Sequence, residues 1–371
     1  MQKDIFFIEA AAILIGTTIG AGILAIPYVI AEAGFLSGLV MVIVVTLVML
    51  VLNLMVGQLA LGTKDLHQLP GYARKYLGRT GERLMFVLMV ASIYGALLAF
   101  VIGEGRVLAD LFGGSPMLSS LIFLAVGAII LYFGLSIIRR LELLLTLVIF
   151  FIILLLFWWS RPFIAWDNLK VFSWQNILLP YGAVFFAGMG FSSIAQMREV
   201  LIGREKLLRK AIVVGTFAPA IIYVIFSLLV VGVSGSATSE VATINLGHII
   251  GPQMIIFGNI FAFVTMATTF LALGLALKKA FIQDLRRSAN VAWLLTCSVP
   301  AVALLLGLNS FANIVSIVGA VAGGLQGVLI ALTWYYMHQM ERNPEYRLPH
   351  TVWLLLPVLI VLLAGLFSVW W

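Results

Sequence analysis

Long apolar stretches, separated by short polar connections, make up most of this chain. The first runs from Ile5 to Ile30, and a helix needs about 20 apolar residues to cross a bilayer. The pattern predicts eleven spanning helices, which are Ile5–Ala33, Phe35–Gly62, Arg83–Phe112, Met117–Ile138, Leu141–Trp159, Ile177–Glu199, Ala211–Val233, His248–Phe281, Val291–Leu308, Asn313–His338 and Thr351–Trp371. The connections are too short for a soluble domain, so we predict one all-α integral membrane domain over residues 1–371.

The middle of the first stretch is interrupted by small and polar residues: Gly16, Thr17, Thr18, Ile19, Gly20, Ala21 and Gly22. Each glycine lowers helix stability by roughly 1 kcal/mol relative to alanine, so the run favours local unwinding. Unwound backbone cannot face lipid and needs protein or a water-filled cavity, where it can bind a polar ligand. The alternative is a face of small residues that packs against another helix.

The spacing of the helices predicts an internal repeat. Helices one to five (about 5–160) and six to ten (about 177–338) begin at a nearly constant offset, and 351–371 is an extra helix. Because each unit crosses the membrane five times, an odd number, the second unit starts on the opposite side and is inverted relative to the first. Its first helix has a matching interruption, which includes Phe185, Phe186, Gly188, Gly190 and Phe191. Broken first helices in two inverted repeats are typical of secondary transporters.

A pair of broken helices offers both signs of partial charge. The N-terminal end of a half-helix suits a carboxylate, and its C-terminal end suits an ammonium group or a metal cation. A site with both and no fixed charge predicts binding of an amino acid zwitterion. Tyr94 and the phenylalanines of the sixth helix are candidates for an aromatic pocket, although aromatic side chains in membrane helices often only pack.

Composition and charge support a membrane protein. Hydrophobic residues make up 63% of the chain and charged residues 10%, whereas soluble domains carry about 25% charged residues. With alternating crossings, 19 of the 22 Lys and Arg residues fall on the side of the N-terminus. Because cytoplasmic loops retain positive charge, we predict a cytoplasmic N-terminus and an extracytoplasmic C-terminus. The net charge of +7 therefore reflects orientation, and we expect no nucleic acid partner.

No arrangement of residues typical of an enzyme appears in the sequence. The four histidines, His67, His248, His338 and His350, all fall in predicted connections or at helix ends. No glycine-rich phosphate loop ending in Gly-Lys-Ser/Thr occurs, so the sequence does not support direct drive by ATP. We expect no enzyme activity and no cofactor other than a bound sodium ion, if sodium is the coupling ion.

Two motifs carry a resemblance to a known group of transporters. The stretch GTTIGAGILAIP (16–27) and the predicted cytoplasmic loop YARKYLGRTGERL (72–84) resemble the amino acid/polyamine/organocation superfamily. They are most similar to its aromatic amino acid permease and amino acid/auxin permease branches. The resemblance implies a LeuT-like bundle of five plus five inverted helices. It also implies that N–H groups at Gly20 to Gly22 bind the substrate carboxylate and that carbonyls of both breaks bind the ammonium group.

The resemblance also suggests residues that couple transport to an ion. In sodium-coupled members, paired hydroxyls of the eighth helix bind sodium, which makes Thr268 and Thr269 candidates here. The alternative is that these threonines bond only their own helix backbone. For proton coupling the candidates are Glu104 and Glu9, since charges inside spanning helices usually face a cavity or a partner. We expect Arg106 and Asp110 to form a structural ion pair, because they are four residues apart.

These observations predict a secondary active transporter in the plasma membrane. It would import neutral amino acids, including aromatic ones, by symport with sodium or protons through alternating access. Its expected partners are the amino acid, the coupling cation and the lipid bilayer, and its oligomeric state is open. The alternative function is a ligand sensor on the transporter fold without net transport, as in membrane germinant-receptor subunits.

Overall fold

The computed structural model describes residues 2–20, 22–63, 67–133, 154–283, 285–340 and 352–368, and the regular structure in these ranges is helical. The longer helices are α1 (Gln2–Thr18), α2 (Gly22–Ala33), α3 (Phe35–Gly62), α4 (Leu69–Phe112), α5 (Pro116–Phe133), α6 (Tyr181–Gly188), α7 (Ile194–Val200), α8 (Leu208–Ser234), α9 (Ala242–Ile250), α10 (Pro252–Gln283), α11 (Ala289–Leu305), α12 (Phe311–Ile317), α13 (Gly324–Met340) and α14 (Val352–Phe367). Residues 154–160 are also helical, and a π-helical stretch, Val318–Gly323, joins α12 to α13.

Within the described ranges, six helical segments are long and apolar enough to cross a membrane. A seventh span is a bent pair, Ile5–Thr18 with Gly22–Ala33. The shorter segments Ala289–Leu305 and Leu355–Phe367 are also apolar. The predicted fifth helix, 141–159, falls largely outside the described residues. The count of eleven helices, the division into repeats and the orientation of the termini therefore stay predictions.

The bounds predicted for the third span are wrong at its start. Residues 69–82, expected in a connection, are helical and continue into the span as α4. Pro70 in the first turn suits a helix start, and Leu69, Tyr72, Ala73 and Tyr76 form a buried face with helical spacing. Gly78, with a φ of 71°, makes a kink between this helix and the span.

The eighth span also begins later than predicted. His248 belongs to a separate helix, α9, which ends at Ile250 and is followed by Gly251 as its C-cap. The φ of Gly251 is 129°, a conformation that residues with a side chain rarely adopt. Pro252 then opens α10, because proline fits the first turn of a helix and cannot continue the preceding one.

The broken helices lie inside the bundle. The first pair, α1 and α2, packs against α8, and α2 also packs against α6. The second pair packs against α3, against α12 and against the π-helical stretch. The long helix α4 packs on α5 and α10. Side chains next to the breaks, such as Leu14, Ile23 and Phe185, have no exposed surface, so the breaks lie against the packed interior and not on its outer face.

Candidate functional site

The first break lies where the glycine-rich run predicts it. Helix α1 ends at Thr18 and α2 begins at Gly22, with a bend of 57° between them. The N–H of Gly20 donates to the carbonyl of Thr18 at 2.8 Å, which closes a tight turn in place of a helical bond. Thr17 is exposed, Gly16 is partly buried, and Ile19 is buried. Ala21 lies outside the described residues.

The second break repeats this local geometry. Helix α6 ends at Gly188, a 3₁₀ turn covers Phe191–Ser193, and α7 follows. The N–H of Gly190 donates to the carbonyl of Gly188 at 2.7 Å, which is the same two-residue spacing as in the first break. The hydroxyl of Ser193 donates to the carbonyl of Gly190 at 2.7 Å. Two helices are therefore interrupted in the same way at the predicted positions.

The two breaks are in direct contact. A Cβ atom on Gly22 would lie 2.7 Å from the Cβ of Ala187, and one on Gly190 would lie 2.6 Å from the hydroxyl oxygen of Thr18. Real Cβ atoms do not approach other atoms so closely, so only glycine lets these backbones meet. The contact brings the N-terminal end of α2 beside the C-terminal end of α6, where their partial charges are of opposite sign.

The predicted aromatic residues occupy different positions. Phe186 is partly buried beside Gly22 and forms an edge-on contact with Phe100 of α4, with ring centroids 6.4 Å apart. Phe185 and Phe191 are buried in the bundle, and Phe185 stacks on Tyr181. The sequence analysis did not single out Phe100 as a neighbour of the breaks, since one phenylalanine in an apolar helix gives no signal of its own.

Tyr94 is not brought to the breaks. Its hydroxyl donates to the carbonyl of Leu295 in α11 at 3.0 Å, and its ring lies 6.3 Å from that of Phe281. These contacts place the side chain between α4 and α11. Phe186 and its ring partner Phe100 therefore lie beside the breaks, and Tyr94 does not.

Thr269 lies against the first break. A Cβ atom on Gly20 would be 3.4 Å from the hydroxyl oxygen of Thr269. This hydroxyl donates to the carbonyl of Thr265 at 2.8 Å, and the hydroxyl of Thr268 donates to that of Val264 at 2.7 Å. Both protons therefore go to the helix backbone, as in the packing alternative. The oxygen lone pairs of both hydroxyls stay available, so the sodium-binding alternative also fits.

Glu104 is buried in the C-terminal third of α4. Its relative exposure is 0%, and neither carboxylate oxygen has a hydrogen-bond partner among the described residues. The carboxyl group lies beside the backbone of Ala267 in α10 without meeting the geometry of a hydrogen bond. Phe100 precedes it by one helical turn on the same face of α4. Glu104 is thus an ionisable group at the contact between α4 and α10, the helix that carries Thr268 and Thr269.

The expected ion pair between Arg106 and Asp110 does not form. Arg106 instead pairs with Glu240 at 3.1 Å, and Asp110 bonds His248 at 2.7 Å and Asn259 at 2.6 Å. The spacing of four residues allowed a pair within α4, but the chain around α9 folds over this end of the helix and supplies other partners. We call these five residues the charged cluster.

Glu9 is exposed on α1, before the break. The structure places it on the surface of the helix and not among the side chains at the breaks. Its predicted role in coupling stays a prediction, and an exposed carboxylate near the start of a spanning helix can also extend to the membrane interface.

Tyr223 of α8 joins the two breaks, and the sequence analysis missed it. Its hydroxyl lies 2.7 Å from the carbonyl oxygen of Thr18 and 2.9 Å from that of Ala187, and it donates toward both. The side chain is 3% exposed. Because Thr18 and Tyr223 are 205 residues apart, no local pattern reveals this contact.

Comparison with known proteins identifies relatives over the whole chain. A sequence model of the tryptophan/tyrosine permease family matches residues 3–371. Tyrosine-specific transport system 1 of Haemophilus influenzae is 27% identical, over 96% of this chain and 94% of that protein. Glutamine transporter 2 of Aliivibrio fischeri is 22% identical, over 84% of each chain.

Solved transporter structures share the fold. MhsT in complex with L-phenylalanine superposes with a TM-score of 0.63 at 15% identity and covers 98% of each chain. A manganese transporter of Eremococcus coleocola superposes with a TM-score of 0.66 at 18% identity, over 97% of this chain and 85% of that one. The fold is therefore the LeuT-like bundle that the resemblance implied. With the match over residues 3–371, the chain belongs to the tryptophan/tyrosine permease family, so it is a multi-pass membrane amino acid transporter and not an enzyme.

Proposed function

We propose that this protein imports aromatic amino acids by symport with a cation, through alternating access. The observation that carries the proposal is the direct contact between two helix breaks beside Phe186 and Phe100. The names of relatives support an aromatic substrate, since one is a tyrosine-specific transport system. A structural neighbour of the same fold is described in complex with L-phenylalanine.

Backbone groups at the breaks recognise the two charges of the amino acid. The sequence of both breaks, 16–22 and 185–193, contains no lysine or arginine, so the substrate carboxylate binds the N-terminal end of α2 near Gly22. The ammonium group binds near the C-terminal ends of α1 and α6, which carry partial negative charge. The edge of Phe186 and the ring of Phe100 then face the side chain of the substrate and favour an aromatic ring.

Two groups next to this site respond to a coupling cation. The lone pairs of Thr269 face the first break at Gly20, which suits sodium. The carboxyl group of Glu104 lacks a partner, so a proton that binds or leaves there changes the charge at the centre of the bundle. Either ion thereby changes the relative stability of the conformations that open to the two sides of the membrane.

Uptake into vesicles tests the proposal. Purified protein in proteoliposomes should accumulate labelled tyrosine, tryptophan or phenylalanine against its gradient when a sodium gradient or a pH gradient is imposed, and glutamine should compete poorly. Tyramine, which lacks the carboxylate, should also compete poorly. Accumulation of glutamine with no uptake of aromatic amino acids would contradict the substrate class. Equal competition by tyramine and tyrosine would contradict carboxylate recognition at the breaks.

The same experiment separates transport from sensing. A ligand sensor would bind tyrosine in equilibrium dialysis but would not accumulate it under any imposed gradient. The curated relatives are named as transporters, and no contact in the described residues favours the sensor. Binding without accumulation would nevertheless reject symport.

A further inference from the structure

A small cavity lies between α1, α3, α6 and α8. Its buried polar lining consists of Thr18, Thr46, Asn53, Thr216 and Tyr223. The volume of about 20 Å³ has room for one water molecule or one ion. No residue of α4 or α10 contributes to the lining. The cavity is therefore separate from Glu104 and from the hydroxyls of Thr268 and Thr269.

Several hydrogen-bond donors around the cavity already have partners. The amide nitrogen of Asn53 donates to the hydroxyl oxygen of Thr216 at 3.1 Å, and that hydroxyl donates to the carbonyl of Ile212 at 2.8 Å. The hydroxyl of Thr18 donates to the carbonyl of Leu14 at 2.6 Å. The hydroxyl of Tyr223 donates to the two breaks. The hydroxyls of Thr18, Thr216 and Tyr223 therefore offer oxygen lone pairs, and not protons, to a ligand.

One of these oxygens has no partner. The side-chain oxygen of Asn53 accepts no hydrogen bond in the described part of the chain, although the residue is only 1% exposed. A buried acceptor without a partner costs roughly 1–3 kcal/mol, and native structures rarely contain one unless a water or an ion completes the site. Asn53 therefore points to a ligand that a carboxamide oxygen can bind.

The electrostatic field at the cavity favours a cation over an anion. Two half-helices end in its lining, α1 at Thr18 and α6 at Gly188, and the C-terminal end of a helix carries about half a negative charge. Oxygen lone pairs and these helix ends attract positive charge. The lining contains no aspartate, glutamate or histidine, so the site lacks the anionic ligands on which divalent cations depend.

We propose that this cavity is a binding site for a monovalent alkali cation. Its ligands are the carboxamide oxygen of Asn53 and the hydroxyl oxygens of Thr18 and Thr216. A cation here neutralises the negative ends of α1 and α6 and stabilises the contact between the two breaks. Cation binding to this cavity requires no amino acid. It can therefore be measured without transport, whichever ion drives uptake.

Thermal unfolding of the full chain in lipid nanodiscs tests the site. The unfolding midpoint is measured in increasing NaCl or KCl, with choline chloride holding ionic strength constant, in a background with Thr268→Ala and Thr269→Ala. We expect a saturable increase of the midpoint, because a ligand that binds only the folded state stabilises it. Adding Thr216→Val should raise the half-maximal cation concentration by at least about tenfold, since one ligand oxygen is lost.

Thr333→Val is the matched control. Thr333 is buried and its hydroxyl donates to the carbonyl of Leu329 at 2.6 Å, four residues back as in Thr216, but it does not line the cavity. This variant should keep the full response to the cation. If neither cation stabilises the background protein, or if Thr216→Val and Thr333→Val respond alike, the cavity holds only water and the proposal is wrong.

A gain of affinity provides a second test that does not depend on a loss of stability. Asn53→Asp places a carboxylate beside the same lone pairs and should lower the half-maximal cation concentration, because an opposite charge in a buried site attracts the ion strongly. An unchanged or higher concentration would contradict the proposal. Vesicle uptake is measured on the chain that keeps Thr268 and Thr269, so uptake by that chain together with no cation response at the cavity would reject this site while leaving the proposed transport intact.

Discussion

The centre of the molecule and the C-terminal end of α4 differ in how they hold charge. In the charged cluster, Arg106 pairs with Glu240 at 3.1 Å, and Asp110 bonds His248 and Asn259. Glu104 lies within two helical turns of Arg106 and Asp110 on α4. It is fully buried, and its carboxylate has no hydrogen-bond partner in the described residues.

The difference separates charges that stabilise a fold from charges that can respond to a ligand. A paired charge in a membrane protein has a low-energy arrangement and resists change. An unpaired buried group reaches a low-energy arrangement only when a ligand or an ion binds nearby, so its charge and conformation depend on that binding. We therefore expect substitutions at the centre to affect transport and substitutions in the charged cluster to affect stability.

The largest effect is expected at Gly22. A methyl group there would lie 2.7 Å from the Cβ of Ala187 and 2.8 Å from its Cα, so Gly22→Ala must separate the two breaks. Such overpacking costs about 1–3 kcal/mol locally and misplaces the N–H groups for the carboxylate. Uptake of tyrosine into proteoliposomes should be lost, while the amount of purified monodisperse protein stays near that of the unsubstituted chain.

Two other glycines serve as comparisons for this variant. At Gly20 the nearest contact of an added Cβ is 3.4 Å, from the hydroxyl of Thr269, which is an ordinary contact distance. At Gly324 in α13 it is 3.8 Å. Gly20→Ala should reduce uptake partially, and Gly324→Ala should not change it. Full uptake by Gly22→Ala would show that the breaks do not need this close contact.

The next largest effect is expected at Glu104. Glu104→Gln keeps the shape of the side chain and removes its ability to exchange a proton. If this carboxyl group couples transport to protons, accumulation driven by a pH gradient should disappear while exchange of internal for external tyrosine continues. Asp110→Asn is the matched variant in the charged cluster, and it should keep driven accumulation. Accumulation driven by a pH gradient that survives in Glu104→Gln would show that Glu104 is not the proton-coupling group and would leave Glu9 as the candidate.

A smaller effect is expected at Tyr223. Tyr223→Phe removes the hydroxyl that lies between the carbonyls of Thr18 and Ala187. A lost buried hydrogen bond costs about 1–1.5 kcal/mol, which corresponds to an increase of KM for tyrosine uptake of about tenfold. Tyr94→Phe also removes one hydroxyl bond, but that bond joins α4 to α11. It should leave KM unchanged, and equal effects of the two variants would contradict a special role for Tyr223.

The sequence predicted those parts of the site that depend on local properties of the chain. Glycine weakens a helix wherever it occurs, so the runs around Gly20 and Gly190 were sufficient to predict both breaks. The buried carboxylate of Glu104 was also recognisable, because a charge within an apolar helix is rare. Similar local reasoning predicted a helical membrane bundle from the length of the apolar stretches.

Contacts between distant parts of the chain were not predictable. Arg106 and Glu240 are 134 residues apart, and the four-residue spacing to Asp110 suggested a nearer partner. The helical start of α4 at Leu69 was missed, because its buried face alternates with the charged residues of a connection. The cavity at Asn53 is lined by residues from four helices, and the sequence of each helix does not predict which other helices it contacts there.

The smallest effect on transport is expected in the charged cluster. The side chains of Arg106 and Glu240 are 29% and 18% exposed, so the pair is partly buried. Glu240 also accepts bonds from the hydroxyl of Ser310 and the N–H of Ala312 at the start of α12. Arg106→Met leaves this carboxylate without its guanidinium and should lower the free energy of unfolding by about 1–3 kcal/mol, less than for a fully buried pair.

A double-mutant cycle separates the pair from its surroundings. Glu240→Gln alone should destabilise the protein similarly, and Arg106→Met with Glu240→Gln should cost less than the sum of the single changes, because residues in contact are coupled. KM for tyrosine uptake should stay unchanged in all three variants. Additive losses of stability would show that Arg106 and Glu240 do not stabilise each other. A large increase of KM would mean that the charged cluster takes part in gating, and the contrast with Glu104 would then fail.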